Sequence, residues 1–144
     1  MIYWDTSVVI KLYVQESDSS RWEKIALTGN HTRASSVLLE SEFAFAVRQK
    51  ELRGEVKAGG ASHLSRRLNR DIAKGFIQLY PLSAEVISRS IELVLLHSER
   101  MPLRTLDGLH LATALLLDVK SMATADERLS NAARLLGISL VHLK

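Results

Sequence analysis

Asp5, Asp107, Asp126 and a glutamate of the segment 36–53, either Glu42 or its neighbour Glu40, lie at the edges of apolar segments. Such segments do not carry charge on their inner faces without a reason, because burying an unpaired carboxylate is costly. Asp5 closes the apolar run Met1 to Trp4 and precedes Thr6 and Ser7, the form of a strand handing over to a helix. Asp126 closes the run Ser121 to Ala125 in the same manner. In open parallel sheets the functional crevice lies beyond the carboxyl ends of the strands, so these two aspartates share one rim. The other two acids come from helices that border it. Clustered carboxylates repel one another, and a hard divalent cation with oxygen ligands makes such a cluster stable. Magnesium or manganese is therefore the expected occupant. An ion of this kind lowers the pKa of a bound water, aligns the resulting hydroxide with a phosphorus atom and neutralises charge on the phosphoryl oxygens. No protein nucleophile is needed, and the chain offers no cysteine and no recognisable serine triad.

The elements that must position these acids are legible in outline. A chain of 144 residues, 47% of them apolar, buries a sizeable core at the common domain size, which predicts a single domain over residues 1–144. Without cysteine there is neither a disulfide framework nor a zinc–thiolate site. The first residues lack the charged start and apolar stretch of a secretory signal, and no apolar run approaches the length of about 20 residues needed to span a bilayer, so a cytoplasmic protein is expected. The formal charge of +3 is modest, but acids neutralised by a bound ion would leave a more basic surface, compatible with nucleic acid.

Helical and strand patterns alternate without repeats or linkers. Strands are expected at Met1–Trp4, His31–Ser35, Phe76–Tyr80, Ser121–Ala125 and Ile138–His142. Thr6 and Ser7 can cap a short helix through Val14, and Ser17 or Asp18 a second that runs toward Gly29. The segment from Ser36 to Arg53 is rich in helix formers and stops at Gly54. Leu64, Leu68 and Ile72 recur at fourfold spacing on a basic helix ending near Gly75. Ser83 caps a helix through about Glu99, with Val86, Ile87, Ser90, Ile91 and Val94 as its expected inner stripe. The helix from Arg104 to about Asp118 is apolar around most of its circumference, so Asp107 in its first turn is a charge entering the core region, partly compensated by the helix N-terminus. A last helix follows Asp126 and runs to Leu136 and Gly137. Alternation of this kind specifies a mostly parallel sheet with helices on both faces.

The chain resembles the PIN-domain ribonucleases, and within them the VapC-type toxins of toxin–antitoxin pairs. The resemblance is carried by the opening strand into Asp5-Thr6-Ser7, by Ser35 and Ser36 followed by Glu42, by the run Leu103 to Ala114 around Asp107, and by Thr124 to Leu129 with Ala132, Ala133 and Leu136 to Ile138. Any one of these motifs is weak; four in register over nearly the whole chain are specific. The resemblance implies a three-layer α/β/α sandwich around a short, mostly parallel sheet. It implies a divalent-metal site made by Asp5, Glu42, Asp107 and Asp126, and endonucleolytic cleavage of RNA to 5′-phosphate and 3′-hydroxyl ends. It also implies an antitoxin partner of the VapB type, through which alone DNA would be met, while the apolar helices of so small a chain point to a symmetric homodimer. One departure is Gly108, where the family more often carries Ala or Ser; glycine there either loosens the Asp107 turn or permits close approach of backbone.

Residue spacing alone does not choose between Glu40 and Glu42, whose side chains point about 200° apart on a helix of 3.6 residues per turn. The resemblance selects Glu42, either as a ligand or as a base for the attacking water. His110, one turn after Asp107, reads as a packing residue outside the catalytic set. Thr6, Ser7 and Thr124 divide evenly between caps and support for the site. Arg66, Arg67, Arg70 and Lys74 read as a solvated face, and Trp4 and Trp22 as packing. Two other functions compete. A haloacid-dehalogenase-type phosphatase also starts from an Asp at the end of its first strand, but needs a second Asp where this chain has Ser7. A PIN-fold binding module without catalysis is the other, though such a module would be free to lose acids, and all four remain.

Overall fold

The computed structural model describes residues 1–97 and 99–141, and among them five strands form one parallel sheet with helices on both faces. The strands are β1 (Ile2–Trp4), β2 (Arg33–Ser36), β3 (Gln78–Tyr80), β4 (Ser121–Ala123) and β5 (Ser139–Leu140), in the order β3-β2-β1-β4-β5. The helices are α1 (Thr6–Val9), continued by a 3-10 turn at Ile10–Leu12, α2 (Ser19–Leu27), α3 (Leu38–Leu52), α4 (Gly60–Ala73), α5 (Ala84–His97), α6 (Thr105–Leu116) and α7 (Glu127–Leu135). This is the expected three-layer α/β/α sandwich, with every pairing parallel. His142, placed in the last strand from sequence, lies outside the described residues, as does Ser98 in the expected helix 83–99. Among the described residues no helix is long and apolar enough to cross a membrane.

Period-two alternation on the central strands sorts the core into two layers. Tyr3 and Met122 face one side, where they pack with Leu93 of α5, Leu109 and Leu111 of α6 and Leu129 of α7. Trp4 and Ala123 face the other, against Val8, Trp22, Leu39, Phe43 and Leu68 of α1 to α4. Trp4 and Trp22 meet edge to face with ring centroids 6.5 Å apart, as packing residues. Gly54 ends α3 with φ +78, a left-handed conformation that L side chains rarely adopt.

The strand order places a topological switch point at β1. The chain moves outward from β1 to β2 and β3, then returns to lay β4 against the opposite edge of β1. Tyr3 pairs with Ala34 on one side and Met122 on the other. The crevice beyond the carboxyl ends of β1 and β4 is where such a sheet builds its site, and Asp5 and Asp126 follow those two ends.

One sequence expectation, the inner stripe of α5, holds at Val86 and fails at the other apolar positions. The buried stripe of α5 is Val86 and Leu93, whereas Ile87, Ile91 and Val94 are exposed together with Leu95 and Leu96. The helix is apolar on two sides, and the side that repeats most regularly is not the one the sheet covers. Gly108 also proves sterically unremarkable: a Cβ there would meet Ser90 Cβ at 3.8 Å, an ordinary contact, so no close backbone approach requires glycine.

Candidate active site

Asp5 is 6% exposed and caps α1 from extended backbone. Its Oδ2 accepts three hydrogen bonds, from the Ser7 amide at 3.2 Å, the Ser7 hydroxyl at 2.6 Å and the Thr124 hydroxyl at 3.0 Å. Its main-chain N–H donates to Ala123 O at 3.0 Å, which fixes the end of β1 against β4. The Ser7 hydroxyl in turn accepts from the Ala125 amide at 2.9 Å, and the Thr124 hydroxyl from the Asp126 amide at 3.1 Å. Ser7 and Thr124 therefore support the site and tie the two strand ends together, while Thr6 reaches a different acid.

That acid is Glu42, whose side chain is 23% exposed. Its Oε1 accepts from the Thr6 hydroxyl at 2.9 Å and lies 2.5 Å from His110 Nε2. Glu40, by contrast, is exposed. His110 Nε2 stands 3.9 Å from Asp5 Oδ1, so one imidazole faces two of the sequence-selected acids. His110 is 2% exposed, and its other ring nitrogen, Nδ1, meets the Tyr3 hydroxyl at 2.7 Å. Burial by itself pushes the imidazole pKa down. The hydrogen bond to Glu42 and the charges of Asp5, Glu42 and Asp107 outweigh that and raise it above the ordinary value. Burial, reinforced by the charge of Asp5, keeps the Tyr3 phenol neutral.

Asp107 and Asp126 are placed differently. Asp107 Oδ2 accepts from the Arg104 amide at 3.1 Å, the backward half of a capping box on α6, and the Arg128 guanidinium stands 3.7 Å from the same oxygen. Asp126 caps α7, its Oδ1 accepting from the Leu129 amide at 2.9 Å. Arg128 thus links the first turn of α7 to Asp107. Beside them opens a groove of about 430 Å³ lined by Arg100, Met101, Leu103, Asp126, Arg128 and Asn131 among others.

The donor set suits a hard cation, since it is built of carboxylates, and each of the four keeps one oxygen outside the hydrogen bonds just described. Convergence is incomplete: among the described residues no three Asp, Glu or His side chains stand in position to hold one ion jointly. Asp5 and Glu42 meet through His110, whereas Asp107 and Asp126 each turn toward a helix N-terminus. Sequence reasoning left out His110, Tyr3 and Arg128. The signal for His110 was its place one turn from Asp107; for Tyr3 and Arg128 local sequence held none, because their partners are distant in the chain.

A PIN-domain family profile matches residues 2–135. The ribonuclease VapC46 of Mycobacterium tuberculosis is 32% identical over 142 residues, covering 97% of this chain and 95% of that protein. Two solved structures share the fold. The crystal structure of Mycobacterium tuberculosis VapC20, a toxin that cleaves the sarcin–ricin loop, aligns with TM-score 0.70 at 15% identity over 92% of this chain and 95% of that one. A toxin–antitoxin complex from Klebsiella pneumoniae aligns with TM-score 0.63 at 17% identity over 99% and 97%. With its acids at the switch point of a parallel sheet and its relatives among the VapC proteins, the chain belongs to the PIN-domain family.

Proposed function

We propose that the chain, folded as one PIN domain, is a VapC-type endoribonuclease and the toxin of a toxin–antitoxin pair, using magnesium or manganese held by Asp5, Glu42, Asp107 and Asp126. PIN-domain ribonucleases are in general dependent on divalent metal. The observation that carries the reading is Asp5, fixed by three donors at the switch point, with Glu42 brought to the same histidine. When bound, such an ion supplies an activated water and neutralises charge at the phosphoryl group. Ser7 and Thr124 hold Asp5 Oδ2 and leave Oδ1 to the site. Glu42, anchored through Oε1, offers Oε2 to orient the attacking water and take its proton. Arg100 and Arg128 line the neighbouring groove, where guanidinium groups suit backbone phosphates of an RNA strand. RNA as substrate is in keeping with a cytoplasmic protein.

The same acidic cluster suits a cognate antitoxin. A basic side chain from a disordered tail enters it in place of metal while apolar tail residues fold onto the adjoining surface. For the homodimer, the exposed stripe Ile87, Ile91, Val94 and Leu95 of α5 is the apolar face we assign to the interface. Ile91→Glu should convert a dimer to a monomer by light scattering, and an unchanged dimer would remove this face from the interface.

The test of function is cleavage of single-stranded RNA by the purified protein as Mg2+ or Mn2+ is titrated. Asp5→Asn and Glu42→Gln should lose most turnover, and Glu40→Gln should keep it. Equal cleavage by wild type and Asp5→Asn, from preparations free of contaminating nuclease, would refute the assignment. RNA binding without cleavage at any metal concentration would identify an inactive PIN-fold module instead.

A further inference from the structure

The structure contains a chain of hydrogen bonds that starts on the sheet and ends on Glu42, toward which the histidine donates. The Ser36 amide donates to the Tyr3 hydroxyl oxygen at 3.1 Å. When the imidazole is neutral, the phenolic proton is available to His110 Nδ1, 2.7 Å away. A ring that accepts at Nδ1 carries its proton on Nε2, and Nε2 faces Glu42 Oε1 at 2.5 Å. A doubly protonated ring also has Nε2–H at this position, so the donor toward Glu42 is the same in both charge states. Thr6 supplies the second donor to that oxygen.

Every member of the chain is held by packing. Tyr3 is fully buried in β1 and Ser36 in β2, His110 is enclosed on α6, and the Tyr3 and His110 rings meet edge to face with centroids 5.8 Å apart. Glu42 itself is a long, partly exposed side chain on α3, and nothing in its own helix fixes its carboxylate. A buried histidine with both nitrogens engaged is more than packing requires, since an apolar residue of similar size would fill the space without needing two partners.

We infer that Tyr3 and His110 are positioning residues, which transmit the register of the central strands to the Glu42 carboxylate and so fix the ligand and base of the proposed metal site. The inference rests on that proposed site. Partners that orient a metal-binding side chain from behind are worth about 10- to 100-fold in metal affinity.

The experiment is calorimetric titration of Mn2+ into the RNA-free, full-length protein, with thermal melts in parallel. Wild type is compared with Tyr3→Phe, His110→Leu and His110→Gln, each alone and combined with Glu42→Gln. Tyr3→Phe removes one oxygen while its ring still fills the core, so it reports even if His110→Leu folds poorly. Tyr3→Phe and His110→Leu should weaken Mn2+ binding by about 10-fold or more. His110→Gln, which keeps an N–H donor for Glu42, should recover part of that loss. In the Glu42→Gln background Tyr3→Phe should change Mn2+ affinity no further. Wild-type affinity in Tyr3→Phe and His110→Leu, with only lower melting temperatures, would overturn the inference and leave a structural role. An equal loss in the Glu42→Gln background would overturn it too, because the effect would not run through Glu42. If wild type binds no Mn2+, the metal site fails and the inference with it, an outcome distinct from failure of the positioning chain alone.

Discussion

Gly108→Ala should stabilise the protein and leave RNA cleavage intact. Glycine inside a helix costs about 1 kcal/mol relative to alanine, and Gly108 lies within α6 in helical backbone without a positive φ. The new methyl would contact Ser90 Cβ at 3.8 Å in the contact between α5 and α6, a position with room for it. Burying one methyl adds up to about 0.8 kcal/mol, so the total gain is about 1 to 2 kcal/mol. Unfolding entropy of about 2.1 cal/mol/K per residue gives about 0.3 kcal/mol/K for 144 residues, which converts the gain to a rise in Tm of about 3 to 7 °C. Circular dichroism melts at fixed protein concentration measure this, with metal-dependent cleavage assayed on the same samples. A fall in Tm would show that α5 and α6 pack more tightly than the 3.8 Å contact implies. Raised Tm with lost turnover would show that the Asp107 turn needs the freedom glycine gives.

Asp126→Asn should melt within about 1 °C of wild type, because asparagine preserves the cap on the Leu129 amide, whereas Asp126→Ala should lose about 1 kcal/mol; both should lose cleavage. Equal stability of the two variants would show that the cap contributes nothing. In fluorescence anisotropy with the Asp5→Asn protein as background, Arg100→Ala should weaken binding of single-stranded RNA and reduce the slope of log K against log salt by about 0.7, and an unchanged slope would remove Arg100 from the phosphate contacts. Lys11 bridges Glu16 and Asp18 at 2.7 Å each; its hydrogen bonds hold both carboxylates below their ordinary pKa, with Lys50 assisting at Glu16. A depressed carboxylate contributes stability above its unfolded pKa and loses it as pH falls through the folded value. The gap in urea midpoint between wild type and Lys11→Met should therefore be full near pH 6 and close below about pH 4. A gap that persists at low pH would mean that Lys11 acts through packing of its stem.

The three aspartates stand where an apolar segment ends or a core helix begins, and those positions were readable from the alternation of elements. What links them was hidden by distance along the chain. Tyr3 lies 107 positions from His110, and Glu42 lies 68 from it, so no local pattern could pair them. The choice of Glu42 over Glu40 likewise depended on resemblance, since helix periodicity treats both alike. On α5 periodicity misled: Ile87, Ile91 and Val94 form a regular stripe, but regularity reports only that a face is apolar, not which surface covers it. The strand order was equally unreadable, because equivalent alternating patterns permit several orders of a parallel sheet.

The central position of β1 has a consequence for the cell that makes this protein. The innermost strand, β1, is made well before its second neighbour, β4. The Thr124 hydroxyl that holds Asp5 lies 119 positions downstream of it. Until β4 is made, Asp5 has no wall on that side, and Asp126, which follows β4, is not yet part of the chain. A nascent chain that has not yet reached β4 therefore emerges disarmed, and the ribosome producing a nuclease is not exposed to a working blade while that segment is still to be made.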